Sequence, residues 1–169
     1  MTDNYNRKSS IEPTGTEGKV AVSLDAPESQ ICKTLYDWWI SHKQDRDMPS
    51  RADLHPRDLI SILPYVYMVD VLDEGTEYVI RLHGSALAEM MGVDCTGMRL
   101  ERNEQSGKFD NAWRGEVYDK VYFSASPVFY KFHLGDFGKA HVITENILLP
   151  MRDKSGQFTI LLCASAPQR

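Results

Sequence analysis

The strongest constraint on this chain is the grouping of its strand-forming residues into two blocks with helical sequence between them. The first block runs Tyr65-Val66-Tyr67-Met68-Val69-Asp70-Val71-Leu72, then Asp73-Glu74-Gly75, then Tyr78-Val79-Ile80-Arg81-Leu82-His83. Two β-branched and aromatic runs flanking a Gly-containing turn predict a hairpin. Side chains alternate along a strand, so Tyr78, Ile80 and Leu82 are expected on one face and Arg81 and His83 on the other. In the second block Val128, Tyr130, Phe132 and Leu134 alternate with Lys131 and His133, and Gly135-Asp136-Phe137-Gly138 makes the next turn. Strands over 141–150 and 158–164 complete it. Strands gathered on either side of a helical block imply an α+β domain with an antiparallel sheet, because a parallel sheet needs strands and helices in alternation.

The helical sequence is read from its start and stop signals. Gly84 and Ser85 break the hairpin strand, and Ser85 opens a short helix that reaches Met91 and stops at Gly92. A second helix is expected over 107–124, with Phe109, Trp113, Val117 and Val121 facing inward and Pro127 closing it. Ahead of the hairpin, Asp25, Pro27 and Glu28 signal a helix over 27–43. Its apolar residues form an arc of roughly 200°, whereas covering a single core takes only about 100°. Such a helix has two surfaces to satisfy. Either the chain's own sheet and tail cover both, or a second molecule covers one; Ile31, Leu35, Tyr36, Trp38, Trp39 and Ile40 are the candidate dimer or partner contacts. The expected organisation is a flexible tail over 1–24, an amphipathic helix segment over 25–47 and a folded domain over 48–169.

Composition removes several function classes. A formal net charge of −5 with Lys and Arg scattered along the chain offers no basic stripe for a nucleic-acid backbone. No apolar run approaches the ~18 residues that a membrane span requires, so no membrane insertion is expected. Cys32, Cys95 and Cys163 lie far apart and make no CxxC pair, which argues against a zinc site and a disulfide framework and for a reducing cytoplasm.

Several stretches, taken in order, carry a family likeness: Met48-Pro49-Ser50-Arg51-Ala52-Asp53 with Pro56, Leu63-Pro64, and Arg81-Leu82-His83-Gly84-Ser85. Gly92-Val93-Asp94-Cys95-Thr96-Gly97 and Glu145-Asn146-Ile147-Leu148-Leu149-Pro150-Met151 continue it. Together with the element order they resemble the PAS domains, in particular the short PAS-domain proteins common in alphaproteobacteria. The resemblance implies a five-stranded antiparallel sheet of order 2-1-5-4-3, with helices on one face and here an extra N-terminal helix. It also implies a sensory or regulatory role, with no attached output domain, exercised in trans through a signalling partner or as a homodimer.

The candidate ligand pocket lies where helices meet sheet: Met90 and Met91, Trp113, Tyr130 and Phe132, with Asn146 as a polar tip. No histidine lies between Ser85 and Ser126, where haem-binding PAS domains usually place one, and Asp94-Cys95-Thr96-Gly97 does not match the flavin-reactive cysteine motif. Haem and flavin are therefore not expected, and no metal or other cofactor is called for. The enzymatic alternative, a small cone-shaped isomerase or hydratase, requires Asp70 or Glu145 to face a cavity as a perturbed acid. Pairing of Asp70 with Arg81 is the simpler expectation. Arg51 and Asp53 are expected to pin the turn before the short helix through local hydrogen bonds, and Arg81 and Gly84 are read as structural.

Overall fold

The computed structural model describes residues 21–102, 112–134 and 139–168. Its strands are β1 (Ala21–Leu24), β2 (Val66–Leu72), β3 (Glu77–His83), β4 (Arg99–Glu101), β5 (Val128–Leu134), β6 (Lys139–Arg152) and β7 (Phe158–Pro167). The helices are α1 (Gln30–Lys43), α2 (Ser85–Met91) and α3 (Ala112–Ser124), with single 3₁₀ turns at Arg51–Asp53, Pro56–Leu59, Leu63–Tyr65 and Asp73–Gly75. All strands join one sheet in the order β1-β5-β6-β7-β2-β3-β4, and each neighbouring pair is antiparallel.

Among the described residues the sheet thus has seven strands where five were expected, the additional ones being the short edge strands β1 and β4. β1 also corrects the tail: Ala21 to Leu24 pair with Phe132 to Phe129 of β5. An open strand edge presents unpaired backbone groups, and four residues of modest β-propensity suffice to cover them. The rest of the expected tail lies outside the described residues.

Helical segments cover both faces of the sheet, and the strand alternation shows how. Leu148, Leu161, Cys163 and Val69 face α2 and α3, whereas Ile147, Leu149, Leu162 and Met68 face α1 and the 3₁₀ turns. With both faces buried, β6 and β7 read as nearly continuous apolar runs rather than as alternating ones.

α1 begins later than expected, because Ser29 rather than Asp25 is its cap and its Oγ accepts from Cys32 N at 3.2 Å. The wide apolar arc is consumed by the chain itself. Leu35, Trp38 and Trp39 are buried, Trp39 Nε1 donates to Pro150 O at 2.8 Å, and Tyr36 meets Phe129 edge-on with ring centroids 5.2 Å apart. Ile31 is half-buried against the same core. Of the six candidate contact residues only Ile40 is exposed, at 42%. Leu35, Trp38 and Trp39 are thus covered by the chain's own sheet, and what the helix still presents to water is Ile40 with parts of Ile31 and Tyr36.

A β-bulge makes a second correction. Val69 pairs with Ile80 and Met68 with Leu82, so Arg81 is an extra residue in β3. One inserted residue swaps the faces of everything beyond it. Leu82, expected beside Tyr78 and Ile80, is 45% exposed, while His83 joins Ile80 on the α2/α3 face.

Gly84 is set by contact rather than by backbone angle. A Cβ there would stand 2.2 Å from Pro64 O, and Gly84 N itself donates to Val66 O at 2.9 Å. Only glycine lets the chain turn this close to the Leu63–Tyr65 turn.

Candidate functional site: a cavity between the sheet and two helices

α2 and α3 span the sheet face without filling it. A half-enclosed cavity of about 40 Å³ remains beneath them. Each helix contributes residues four apart, which stand on one face: Leu87 and Met91 from α2, Arg114 and Tyr118 from α3. The sheet contributes alternate residues. Tyr130 and Phe132 come from β5, Thr144 and Asn146 from β6, Ser165 from β7, Tyr67 from β2, and Ile80 and His83 from β3. The register makes them neighbours, since Tyr130 pairs with Asn146, Phe132 with Thr144, and Asn146 with Ser165.

Of the expected pocket residues, Met91, Tyr130, Phe132 and Asn146 line this cavity. Met90 packs on the surrounding core without lining it, and the side chain of Trp113 lies outside the described residues. Sequence reasoning missed Arg114, because a charged residue in a helix normally marks the solvent face. The available signal was its i, i+4 spacing to Tyr118. His83 was missed because the bulge at Arg81 has no signature in a single sequence.

Arg114 is only 8% exposed and lies on α3. Burial works to lower its pKa, but Tyr118, Tyr67 and Tyr130 outweigh burial and hold it above the usual value. It is a cation at every physiological pH. Burial raises the pKa of Tyr67 and Tyr118, so both are neutral phenols. His83 is also neutral: burial, assisted by Arg114, lowers its pKa below the ordinary 6.5 against an opposing pull from Asp94. Cys95 N donates to His83 Nδ1 at 3.3 Å, which leaves the ring proton on Nε2. Asn146 is oriented by its neighbour, donating from Nδ2 to Thr144 Oγ1 at 3.0 Å and to Thr144 O at 3.2 Å.

α3 is held over the cavity by a polar clamp. Asp119 accepts from Tyr78 Oη at 2.7 Å and from Arg102 at 2.6 and 2.8 Å, joining the helix to β3 and to the residue that follows β4. Tyr78 and Tyr118 pack edge to face beside it, with ring centroids 5.2 Å apart.

The two carboxylates on which an enzymatic reading depends are on the opposite side of the sheet. Asp70 accepts from Arg81 Nε at 2.7 Å, the expected pairing. Glu145 is fully buried and caps α1: its carboxylate accepts from Glu28 N at 2.9 Å, from Ser29 N at 2.9 and 3.0 Å, and from Ser29 Oγ at 3.2 Å. Neither lines the cavity. Asp53 accepts from Ser50 N at 2.8 Å and pairs with Arg46 at 2.8 Å, while Arg51 donates to Leu54 O at 3.2 Å, so the two residues pin the turn separately rather than pairing with each other. The three cysteines are free and buried; burial pushes the Cys32 thiol up to about 12. Among the described residues, no cluster of three or more His, Cys, Asp and Glu side chains has the placement of a metal site, and no helix is long and apolar enough to cross a membrane.

An antiparallel sheet carrying short helices over a half-enclosed cavity, with a capping helix on its other face, defines an α+β domain. A family model described as a PAS domain matches residues 28–164, and the chain belongs to that family. PAS domains are sensory domains in general, they often mediate protein interactions, and they are generally not enzymes. No curated protein matches the chain.

Proposed function

We propose that this PAS domain binds a small molecule in the cavity beneath α2 and α3 and passes the signal in trans, in the cytoplasm, by contact with a signalling protein. The observation that carries this reading is Arg114. Although only 8% exposed, it lines a half-enclosed cavity between the sheet and two helices, so a charged donor borders that space. Thr144, Asn146 and Ser165 add further polar groups to the same small space.

A homodimer remains part of the proposal, with Ile40 as the exposed remnant of the candidate contact on α1. The isomerase or hydratase reading gains no support from Asp70 and Glu145, both of which are engaged on the far face.

Native mass spectrometry of the full chain after gentle purification tests the ligand: a copurified small compound is expected. Absence of any such compound, together with no thermal shift across a library of small metabolites, would refute the ligand part and leave partner binding alone. Sedimentation at micromolar concentration tests the dimer, which a concentration-independent monomer mass would refute.

A further inference from the structure

We infer that the sheet floor of the cavity recognises a small primary amide, Asn146 Oδ1 accepting from the ligand's NH2 group and Ser165 Oγ donating to its carbonyl. The inference rests on the ligand-binding reading above and names the class of ligand. Three observations carry it.

The first is a side-chain amide whose orientation is fixed. Asn146 Nδ2 lies 3.0 Å from Thr144 Oγ1 and 3.2 Å from Thr144 O. A main-chain carbonyl oxygen can only accept, so the atom that faces it has to be the nitrogen. Thr144 Oγ1 spends its own proton on Phe132 O at 3.4 Å, which leaves it an acceptor toward Asn146. Asn146 Oδ1 is thereby turned away from Thr144, and an amide oxygen has lone pairs to offer and no proton.

The second is a pair of polar atoms left without partners. Among the described residues nothing donates to Asn146 Oδ1, and Ser165 Oγ makes no hydrogen bond. Their residues are only 6% and 8% exposed. The side-chain polar atoms that are both sealed off and unpaired, among the described residues, are Trp38 Nε1 and Glu77 Oε1. Asn146 Oδ1 and Ser165 Oγ are unpaired but not sealed, so they open onto the space that their side chains line, which is the cavity. Buried polar groups are nearly always satisfied, so two such atoms on one cavity wall mark a place where a bound molecule completes their bonds.

The third is spacing and size. Asn146 and Ser165 are direct partners across β6 and β7 and line the same cavity, so their Cβ atoms stand about 4.5–5.5 Å apart. No hydrogen bond joins their side chains. Asn146 Oδ1 needs a donor, and the Ser165 hydroxyl has a proton to give. A primary amide carries a donor and an acceptor on neighbouring atoms and satisfies both at once. A ketone or a carboxylate has no proton for Asn146, and an ammonium group has no acceptor for the Ser165 proton. Ile80, Leu87, Met91 and Phe132 supply apolar wall for a short alkyl group. The cavity of about 40 Å³ holds only a few water-sized groups, one water taking about 10–15 Å³, which selects a short amide.

The experiment titrates the full chain, followed by NMR, with propionamide, butanone, propionate and propylammonium at matched ionic strength. The first three share one carbon skeleton and differ in the NH2 group, a methyl or an oxygen. Propionamide is expected to shift the backbone amides of Leu87, Asn146 and Ser165 and the Asn146 side-chain NH2 signals saturably. Each of the other three should bind at least about tenfold more weakly, because it leaves a buried polar atom unpaired. Ser165→Ala, checked for folding by its amide spectrum, should weaken propionamide about tenfold and leave butanone unchanged. Should that variant fail to fold, the four probes on the unaltered chain decide alone. Equal binding of propionamide and butanone, or preference for propionate or propylammonium, overturns the inference while leaving the sensing role intact. Absence of propionamide shifts up to about 50 mM, where even millimolar affinity is visible, also overturns it and leaves water as the partner of the two atoms. A chain that binds none of the probes and copurifies with no compound overturns the ligand-binding reading as well.

Discussion

Replacing Glu145 should release the α1 side of the domain, and the size of the effect follows from the geometry. Its carboxylate accepts from two consecutive backbone amides and one hydroxyl at the start of α1, at 2.9 to 3.2 Å. Hydrogen bonds to a charged acceptor contribute about 1.5–3 kcal/mol each, but these share two oxygens, and Glu28 is exposed enough to regain water in part. The carboxylate also faces the positive end of a helix, a further ~0.5–1 kcal/mol. The estimate for Glu145→Ala is a loss of about 3–4 kcal/mol, and for Glu145→Gln, which keeps one acceptor oxygen but turns an amide toward the donors, about 2 kcal/mol. Urea unfolding followed by tryptophan fluorescence reads both, because Trp38 and Trp39 lie on the same helix. Hydrogen exchange should show lost protection concentrated at Cys32 to Leu35 in the glutamine variant, with β2 and β3 unchanged. If both variants unfold within about 0.5 kcal/mol of the parent, the ordinary range for a neutral surface change, the carboxylate does not hold the helix and the reasoning fails.

Gly84→Ala should destabilise by about 3 kcal/mol, because the added methyl meets backbone atoms at 2.2 to 2.8 Å that cannot rotate away; an unchanged melting temperature would refute this. Asp119→Ala should cost about 2 kcal/mol by removing the acceptor that Tyr78 and Arg102 share, with Asp119→Asn losing less, as measured by urea midpoints. His83 has a folded pKa held below its unfolded value of 6.5, so its contribution to stability is present above about pH 6.5 and is lost as pH falls through the folded pKa. His83→Gln should therefore flatten the fall in stability as pH drops below about 6.5, and an identical fall in parent and variant would count against a buried neutral imidazole.

Local chemistry was legible in the sequence and long-range consequence was not. The hairpin, the stop of α2 at Gly92 with its left-handed backbone, and the alternating face of β5 follow from residues a few positions apart. Tyr130, Phe132, Asn146 and Met91 could be placed in a pocket for the same reason. Glu145 was opaque because its partners lie 116 and 117 positions earlier, and in sequence it is only an acid within an apolar strand. β1 and β4 are too short for a periodicity to show, and they exist because neighbouring strands offer an edge. The breadth of the apolar arc of α1 was read correctly as two surfaces to satisfy; which molecule satisfies them is a tertiary fact.

The position of Glu145 has one further consequence. Asn146 follows it directly, and because strand neighbours point oppositely, a single peptide plane carries the cavity-side amide on one side and the α1 cap on the other. Asn146 and Glu145 thus stand on opposite faces of β6, one residue apart, with β5 and β7 paired on either side of the strand. The mouth of the cavity and the root of the helix lie on opposite faces of the molecule, yet they are adjacent links of one stiff chain.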